Sequence, residues 1–88
     1  MEFKNKNVIV TGANGLVGTP AVRKCIEEGA NKVYAVDIRF TDSLLQLANQ
    51  YPDKCILVDT DLTYLHNCEE LFKGTDINVV LHIAGVKG

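Results

Sequence analysis

Four short apolar runs, continuous rather than alternating, most constrain what this chain can fold into. Each run holds three or four residues and is rich in valine and isoleucine. A continuous run suits a strand that is buried on both faces, which is how the strands of a parallel sheet are covered. We therefore predict four such strands, at residues 8–10, 33–36, 55–58 and 79–81.

Helical patterns separate the four runs. In the first predicted helix the apolar residues lie on one face, and Gly29 is its C-terminal stop. In the second the apolar residues recur at i, i+3, i+4 and i+7, and Thr41 or Asp42 is its N-cap. The apolar positions of the three predicted helices are Gly18, Val22, Cys25 and Ile26; Leu44, Leu47, Ala48 and Tyr51; and Leu65, Cys68, Leu71 and Phe72.

The resulting order β-α-β-α-β-α-β predicts right-handed crossovers between parallel strands. We expect an α/β fold of Rossmann type, a doubly wound parallel sheet represented by its N-terminal half, with strand order 3-2-1-4. Residues 1–88 then form one partial domain, without a second. Pro20 conflicts locally with this scheme, because it falls about five residues into the first predicted helix; that helix either starts late or has a loose first turn.

The loop after the first strand reads TGANGLVG, with glycines at positions 12, 15 and 18. It follows a strand and opens a helix, and a helix N-terminus stabilises a pyrophosphate through unpaired N–H groups and the helix dipole. Gly12 allows the sharp turn, Gly15 allows a ligand to approach the backbone, and Gly18 allows the helix to pack closely on the sheet. No Gly-Lys-Ser/Thr follows, which excludes an ATP-type P-loop. The alternative is a glycine-rich turn without a ligand.

The ends of the second and third strands carry acidic residues where a doubly wound fold binds its ligand. Asp37 lies 19 residues after Gly18, in the window where a carboxylate holds the adenosine ribose hydroxyls and favours NAD over NADP. Arg39, two residues further on, opposes that preference because its positive charge offsets the repulsion of a 2′-phosphate. The alternative interpretation of Asp37 is a solvated aspartate at the end of a strand, without a ligand. Asp61 is placed to accept from the adenine amine, with Leu62 against the ring. Alternatively, Asp61 or Thr63 caps the third helix, and the two interpretations are compatible.

The fourth strand ends in HIAGVKG. Ala84 and Gly85 are small where a cofactor must pass close to the backbone, and Lys87 can reach a phosphate or a ribose. His82 is interpreted as a hydrogen-bonded core histidine rather than a ligand.

Composition excludes several classes of function. The net charge is −2 and no Lys/Arg cluster occurs, so nothing favours nucleic-acid binding. No apolar stretch approaches the roughly 18 residues of a membrane span, and the N-terminus lacks the pattern of a signal peptide. Cys25, Cys55 and Cys68 match no metal-binding spacing, and we interpret them as reduced, buried thiols of a cytoplasmic protein.

Together these segments resemble the short-chain dehydrogenase/reductase superfamily. TGANGLVG matches its T-G-x-x-G-x-x-G loop, and the acid at position 37, the Asp61-Leu62 pair and the H-x-A-G segment are similar to the extended branch of epimerases, dehydratases and reductases. HIAGVK looks most like the H-F-A-G-L-K segment of UDP-glucose 4-epimerases. The resemblance covers all 88 residues.

The resemblance implies NAD as the cofactor, with NADP as the weaker alternative, and it implies which residues contact it. The implied contacts are Gly12, Asn14, Gly15, Leu16, Val17 and Gly18 at the pyrophosphate, Asp37 with Ile38 and Arg39 at the ribose, Asp61 and Leu62 at the adenine, and Ile83, Ala84, Gly85, Val86 and Lys87 toward the nicotinamide.

The superfamily's catalytic Tyr-x-x-x-Lys pair has no match here. Tyr34, Tyr51 and Tyr64 are followed four places later by isoleucine, cysteine and cysteine. We therefore expect this chain to be the NAD-binding N-terminal segment of a sugar-nucleotide epimerase, dehydratase or oxidoreductase, and to be inactive alone. The alternative is a stand-alone or degenerate NAD-binding module, which a natural stop codon after Gly88 would favour.

The fourth strand also predicts that the 88-residue chain is not a stable isolated monomer. We expect it to self-associate along this strand, to remain with the rest of a parent protein, or to be the ordered part of a longer polypeptide. The strand is apolar on both faces, and in the order 3-2-1-4 it lies at an edge without the lysine or proline that protects natural edges.

Overall fold

The computed structural model describes residues 3–59 and 77–82. Four strands and two helices lie in these ranges, and their bounds are β1 (Asn7–Thr11), α1 (Gly18–Glu27), β2 (Lys32–Asp37), α2 (Asp42–Gln50), β3 (Cys55–Asp59) and β4 (Val79–His82). All four predicted strands are present, as are the first two predicted helices. The third predicted helix lies outside the described residues.

The strands form one parallel sheet in the order β3-β2-β1-β4, which confirms the predicted fold class and strand order. Val8 pairs in register with Val33 of β2 and with Val79 of β4, and Val33 pairs in turn with Cys55 of β3. Because all four strands run in the same direction, their carboxyl ends meet at one edge of the sheet. That edge is the one where doubly wound folds bind ligands.

The apolar run of β1 is buried as predicted, whereas the runs of the two edge strands are covered only in part. In β3 only Cys55 is buried, and in β4 Val79 and Leu81 are half-buried and Val80 is exposed. Four of the five residues of β1 are buried, and successive side chains of a strand point to opposite faces, so both faces of β1 are covered. One face packs with the helices in a single apolar cluster, whose sheet and helix members are Val8, Val10, Val33, Ala35, Cys55, Val22, Cys25, Ile26, Leu44 and Leu47.

The two ends of α1 explain how Pro20 is tolerated and where the helix stops. Helix α1 begins only at Gly18, so Pro20 lies in the first turn, where a backbone N–H would have no intrahelical acceptor. The late start anticipated as one alternative is therefore correct. At the other end, Gly29 has φ 92° and its N–H donates to the Ile26 carbonyl at 3.0 Å, while the Ala30 N–H donates to the Cys25 carbonyl at 3.1 Å. This Schellman arrangement is the stop predicted at Gly29.

Three asparagines join the amino ends of the strands, at the edge opposite to the glycine loop. The Asn7 N–H donates to Asn78 Oδ1 at 2.8 Å, and the Asn78 N–H donates to the Asn7 carbonyl at 3.0 Å. Asn31 Nδ2 donates to Asn7 Oδ1 at 2.8 Å. The cluster fixes the starts of β1 and β4 against each other and against the turn that leads into β2.

The two cysteines in the described ranges are buried and unpaired, as predicted; Cys68 lies outside them. Burial raises the pKa of the Cys25 thiol, and it raises the pKa of the Cys55 thiol to about 11. Both therefore act as small apolar core residues. Neither helix in the described ranges combines the length and the apolar character needed to cross a membrane.

Candidate functional site

The first residues of the glycine loop, which follow the carboxyl end of β1, are still hydrogen-bonded to the neighbouring strand β2. The N–H groups of Gly12 and Ala13 donate to the Val36 carbonyl of β2, at 3.0 and 3.3 Å. Gly12 has φ 70°, a conformation that side-chain-bearing residues rarely adopt, so the turn out of the strand requires a glycine here. The loop thus begins as an extension of the sheet, and it buries Ala13 completely.

Gly18 brings the first turn of α1 into contact with the start of this loop. A Cβ atom at Gly18 would lie 2.1 Å from the Gly12 carbonyl oxygen and 2.7 Å from the Ala13 Cα. The close approach therefore involves the loop backbone rather than the sheet itself, which is more local than the sequence analysis expected. Thr19 adds to the same contact, because its Oγ1 donates to the Ala13 carbonyl at 2.7 Å.

Gly15 differs from the other two glycines, because the protein's own packing does not require it. It is exposed, its φ is not positive, and among the described residues a Cβ there would meet only the Gly12 carbonyl oxygen, at an ordinary 3.7 Å. A side chain at this position would project in front of the loop, where no other described residue lies within contact distance. The absence of one is therefore suited to a ligand that approaches the backbone.

The N-terminus of α1 presents backbone donors next to Gly15. No acceptor among the described residues pairs with the N–H of Leu16 or Val17. Val17 is the N-cap but supplies no side-chain cap, and the first turn carries no acidic residue. Unpaired amides at the positive end of a helix dipole favour an anionic ligand.

Asp37, the last residue of β2, lies against the glycine loop. Its Oδ2 accepts from the Asn14 N–H at 3.1 Å and its Oδ1 accepts from the Ile38 N–H at 2.7 Å. An ionised carboxylate has about four acceptor positions, so each oxygen retains capacity for a ligand donor. These two bonds fix the orientation of a half-buried carboxylate at the sheet edge.

Asn14 also bonds across to the turn between β2 and α2. Its Oδ1 accepts from the Thr41 N–H, and the Thr41 Oγ1 accepts in turn from the Leu44 N–H at 3.4 Å, as the predicted N-cap of α2. Between the two loops lies an open groove of about 390 Å³, lined by Asn14, Gly15, Leu16, Thr19, Thr41 and Ser43.

Thr19 and Ser43 line this groove although no sequence motif indicates it, and Thr41 is predicted from the sequence only as an N-cap. The predicted strand order could have indicated that these three residues lie at the groove. Once β1 and β2 pair in parallel, with Thr11 opposite Val36, the turns that follow the two strands must lie side by side.

The structure brings the glycine loop and Asp37 together, through the bond from the Asn14 N–H to Asp37 Oδ2. Leu16 and Val17 project outward, with 81% and 45% of their surface exposed, and Ile38 and Arg39 are exposed just beyond Asp37. The other predicted cofactor contacts lie outside the described residues, namely Asp61, Leu62, Ile83, Ala84, Gly85, Val86 and Lys87. His82 ends β4 opposite Thr11 of β1.

A family model of the NAD dependent epimerase/dehydratase family matches residues 8–88, and the chain belongs to this family. Membership implies a nicotinamide dinucleotide as the cofactor. No curated protein matches the chain.

Two solved structures share the fold. One is the protein Pen from Bacillus thuringiensis, with 22% identity and a TM-score of 0.77 over 100% of this chain and 28% of that one. The other is an epimerase from the thermophilic methanogen Methanothermobacter thermautotrophicus, with 24% identity and a TM-score of 0.69 over 93% of this chain and 23% of that one. The chain thus spans about a quarter of the length of each.

Proposed function

We propose that this chain is the NAD-binding segment of an NAD-dependent epimerase- or dehydratase-type oxidoreductase whose substrate is a sugar nucleotide. The observation that carries the proposal is the carboxylate of Asp37, oriented by the Asn14 and Ile38 amides at the carboxyl edge of the sheet. An oriented acidic side chain beside a glycine loop is the arrangement that recognises an adenosine ribose.

The glycine loop would hold the pyrophosphate of the dinucleotide. The N–H groups of Leu16 and Val17 supply donors at the positive end of α1, and Gly15 leaves the backbone open to the ligand. The bound nicotinamide supplies the acceptor and donor of hydride. The residues of this chain bind and orient it. Asp61, Leu62 and residues 83–87 are proposed to complete the contacts to the adenine and toward the nicotinamide.

Preference for NAD over NADP follows from charge. The free acceptor positions of Asp37 suit the two ribose hydroxyls, whereas a 2′-phosphate would be repelled by the carboxylate. Arg39, two residues further on and exposed, is the side chain that would offset the repulsion if NADP were bound.

A second candidate is a dinucleotide-binding module without catalysis. No Tyr-x-x-x-Lys pair occurs within residues 1–88, and both candidates are compatible with these residues. Both candidates bind a dinucleotide, and they differ in whether a proton-transfer group lies beside the nicotinamide.

Titration of NAD and NADP into the protein tests the shared part of the proposal. NAD should bind more tightly than NADP. Asp37→Ala should weaken the binding of NAD by about 1–3 kcal/mol, the range for a charge-assisted hydrogen bond. Asp59→Ala is a matched control, because Asp59 ends β3 directly opposite Asp37 and is exposed. Equal or tighter binding of NADP, or an equal loss in the Asp59 variant, would refute the assignment of Asp37.

A further inference from the structure

Asn14, in the glycine loop, bonds both to the carboxylate at the end of β2 and to the turn between β2 and α2. Its backbone N–H donates to Asp37 Oδ2 at 3.1 Å, and its side-chain Oδ1 accepts from the Thr41 N–H. The residue is half-buried and lines the groove itself. One short side chain therefore connects the loop after β1 with the turn after β2.

The far side of this connection is anchored in the core. Thr41 caps α2 through its Oγ1, and its carbonyl accepts from the Leu45 N–H at 3.0 Å. The first and second turns of α2 bury Leu44 and Leu47 completely or nearly so. Movement of Thr41 relative to the glycine loop is thus limited on both sides.

The Thr41 N–H is the kind of group that binds phosphate. It lies at the N-terminal end of a helix, where backbone donors and the helix dipole favour an anion. In this structure, however, the amide oxygen of Asn14 accepts the hydrogen bond of that donor. A phosphate near this turn would have to compete with Asn14, and it would face the Asp37 carboxylate at the same time.

We propose that Asn14 is a positioning residue that selects against a dinucleotide with a 2′-phosphate. Its side-chain oxygen accepts the hydrogen bond of the Thr41 N–H and so holds the β2–α2 turn against the glycine loop. Its backbone N–H orients the Asp37 carboxylate toward the ribose. This inference rests on the proposed dinucleotide-binding function, and it adds a selectivity role for a residue outside the acidic position itself.

Asn14→Ala is the direct test, because it removes the amide oxygen and keeps the backbone N–H that holds Asp37. We expect the Kd for NAD to rise about 10-fold, the equivalent of one neutral hydrogen bond. The Kd for NADP should stay nearly unchanged, because the released Thr41 N–H can then donate to the 2′-phosphate. The preference for NAD over NADP should therefore fall about 10-fold.

Asn14→Asp is the matched variant, because it retains an acceptor oxygen for the Thr41 N–H. Its added negative charge should weaken both dinucleotides, and NADP the more, so the preference for NAD should equal or exceed that of the unchanged protein. Loss of preference in this variant, or equal weakening of NAD and NADP in Asn14→Ala, would overturn the inference, because a merely structural role weakens both ligands alike.

A second pair of variants covers the case in which Asn14→Ala does not fold. Thr41→Ala and Thr41→Pro both lose the capping oxygen, but only proline also removes the N–H, and the φ of −74° at Thr41 suits proline. The Kd for NAD should be about 10-fold higher in Thr41→Pro than in Thr41→Ala; equal values would overturn the inference.

Failure of the proposed function gives a different result. In that case the unchanged protein binds neither NAD nor NADP in the same calorimetric titration, and the inference falls with it. Tight NAD binding that is indifferent to Asn14 overturns the inference alone.

Discussion

Substitution of Gly18 should destabilise the fold far more than substitution of Gly15, although both glycines belong to the same loop motif. A Cβ at Gly18 would lie 2.1 Å from the Gly12 carbonyl oxygen and 2.7–2.8 Å from two backbone atoms of Ala13. Non-bonded heavy atoms normally stay about 3.5 Å apart or more, so the first turn of α1 would have to move away from the loop by more than about 1 Å.

The obstructing atoms belong to the backbone, which cannot rotate out of the way as a side chain can. Gly12 is fixed to the Val36 carbonyl, and Gly18 opens a helix whose Val22 and Cys25 are buried. We therefore expect Gly18→Ala to reach the upper end of overpacking costs, about 3 kcal/mol. For a domain of this size, that loss lowers Tm by about 12 °C or more.

Gly15→Ala is the matched control. Its Cβ would meet the nearest atom at 3.7 Å and its φ is not positive, so the free energy of unfolding should stay unchanged or rise by about 0.4–1 kcal/mol. Gly15→Val should instead abolish dinucleotide binding, because the larger side chain projects from the groove wall where the pyrophosphate is proposed to lie.

Urea and thermal unfolding, followed by circular dichroism, measure both variants, and NAD titration measures the binding. If Gly18→Ala melts within a few degrees of the unchanged protein, or if Gly15→Ala is destabilised as strongly, the packing argument is wrong. If Gly15→Val folds and binds NAD normally, the assignment of the loop to the pyrophosphate is wrong.

Two further predictions concern Cys55 and Val80. Burial raises the pKa of the Cys55 thiol from 9.0 to about 11, so the folded state favours the neutral thiol; its contribution to stability is complete below pH 9 and is lost as the pH rises through 11. Urea unfolding across that range should show a decline that is smaller in Cys55→Ala, and identical pH profiles would contradict this cause. Val80 is 57% exposed on β4, an edge strand of the described sheet, so we expect concentration-dependent self-association along β4. Sedimentation at micromolar concentration should show it for the unchanged protein and less of it for Val80→Lys; a compact monomer in both would refute it.

Periodicity along the sequence is sufficient to predict the strands and the first two helices, whereas the order of the sheet follows from their alternation and the doubly wound topology. The strands and helices depend on local spacing, because a continuous apolar run such as that of β1 suits only a strand covered on both faces. The buried face of α1, with Val22, Cys25 and Ile26, was likewise predicted from residues three and four apart.

Contacts between distant loops were beyond such reasoning. Asn14 and Thr41 lie 27 residues apart, and nothing in either segment indicates that the amide oxygen of one accepts from the backbone of the other. The start of α1 at Gly18 is not determined by local sequence for a similar reason. It depends on how the loop packs on its own backbone, which Pro20 permits but does not determine.

The asparagine cluster at the amino ends of the strands has a consequence for the order in which the sheet assembles. Asn7 and Asn78 are separated by 71 positions, whereas β1 pairs with β2 through much nearer partners such as Val8 and Val33. Closing the longer loop costs about 1 kcal/mol more in chain entropy, since each doubling of length adds about 0.6 kcal/mol. β4 should therefore dock last on a sheet already formed by β1, β2 and β3, and the two asparagines would hold its register when it arrives. Amide protons of β4 that exchange more slowly than those of β1 would argue against this sequence of events.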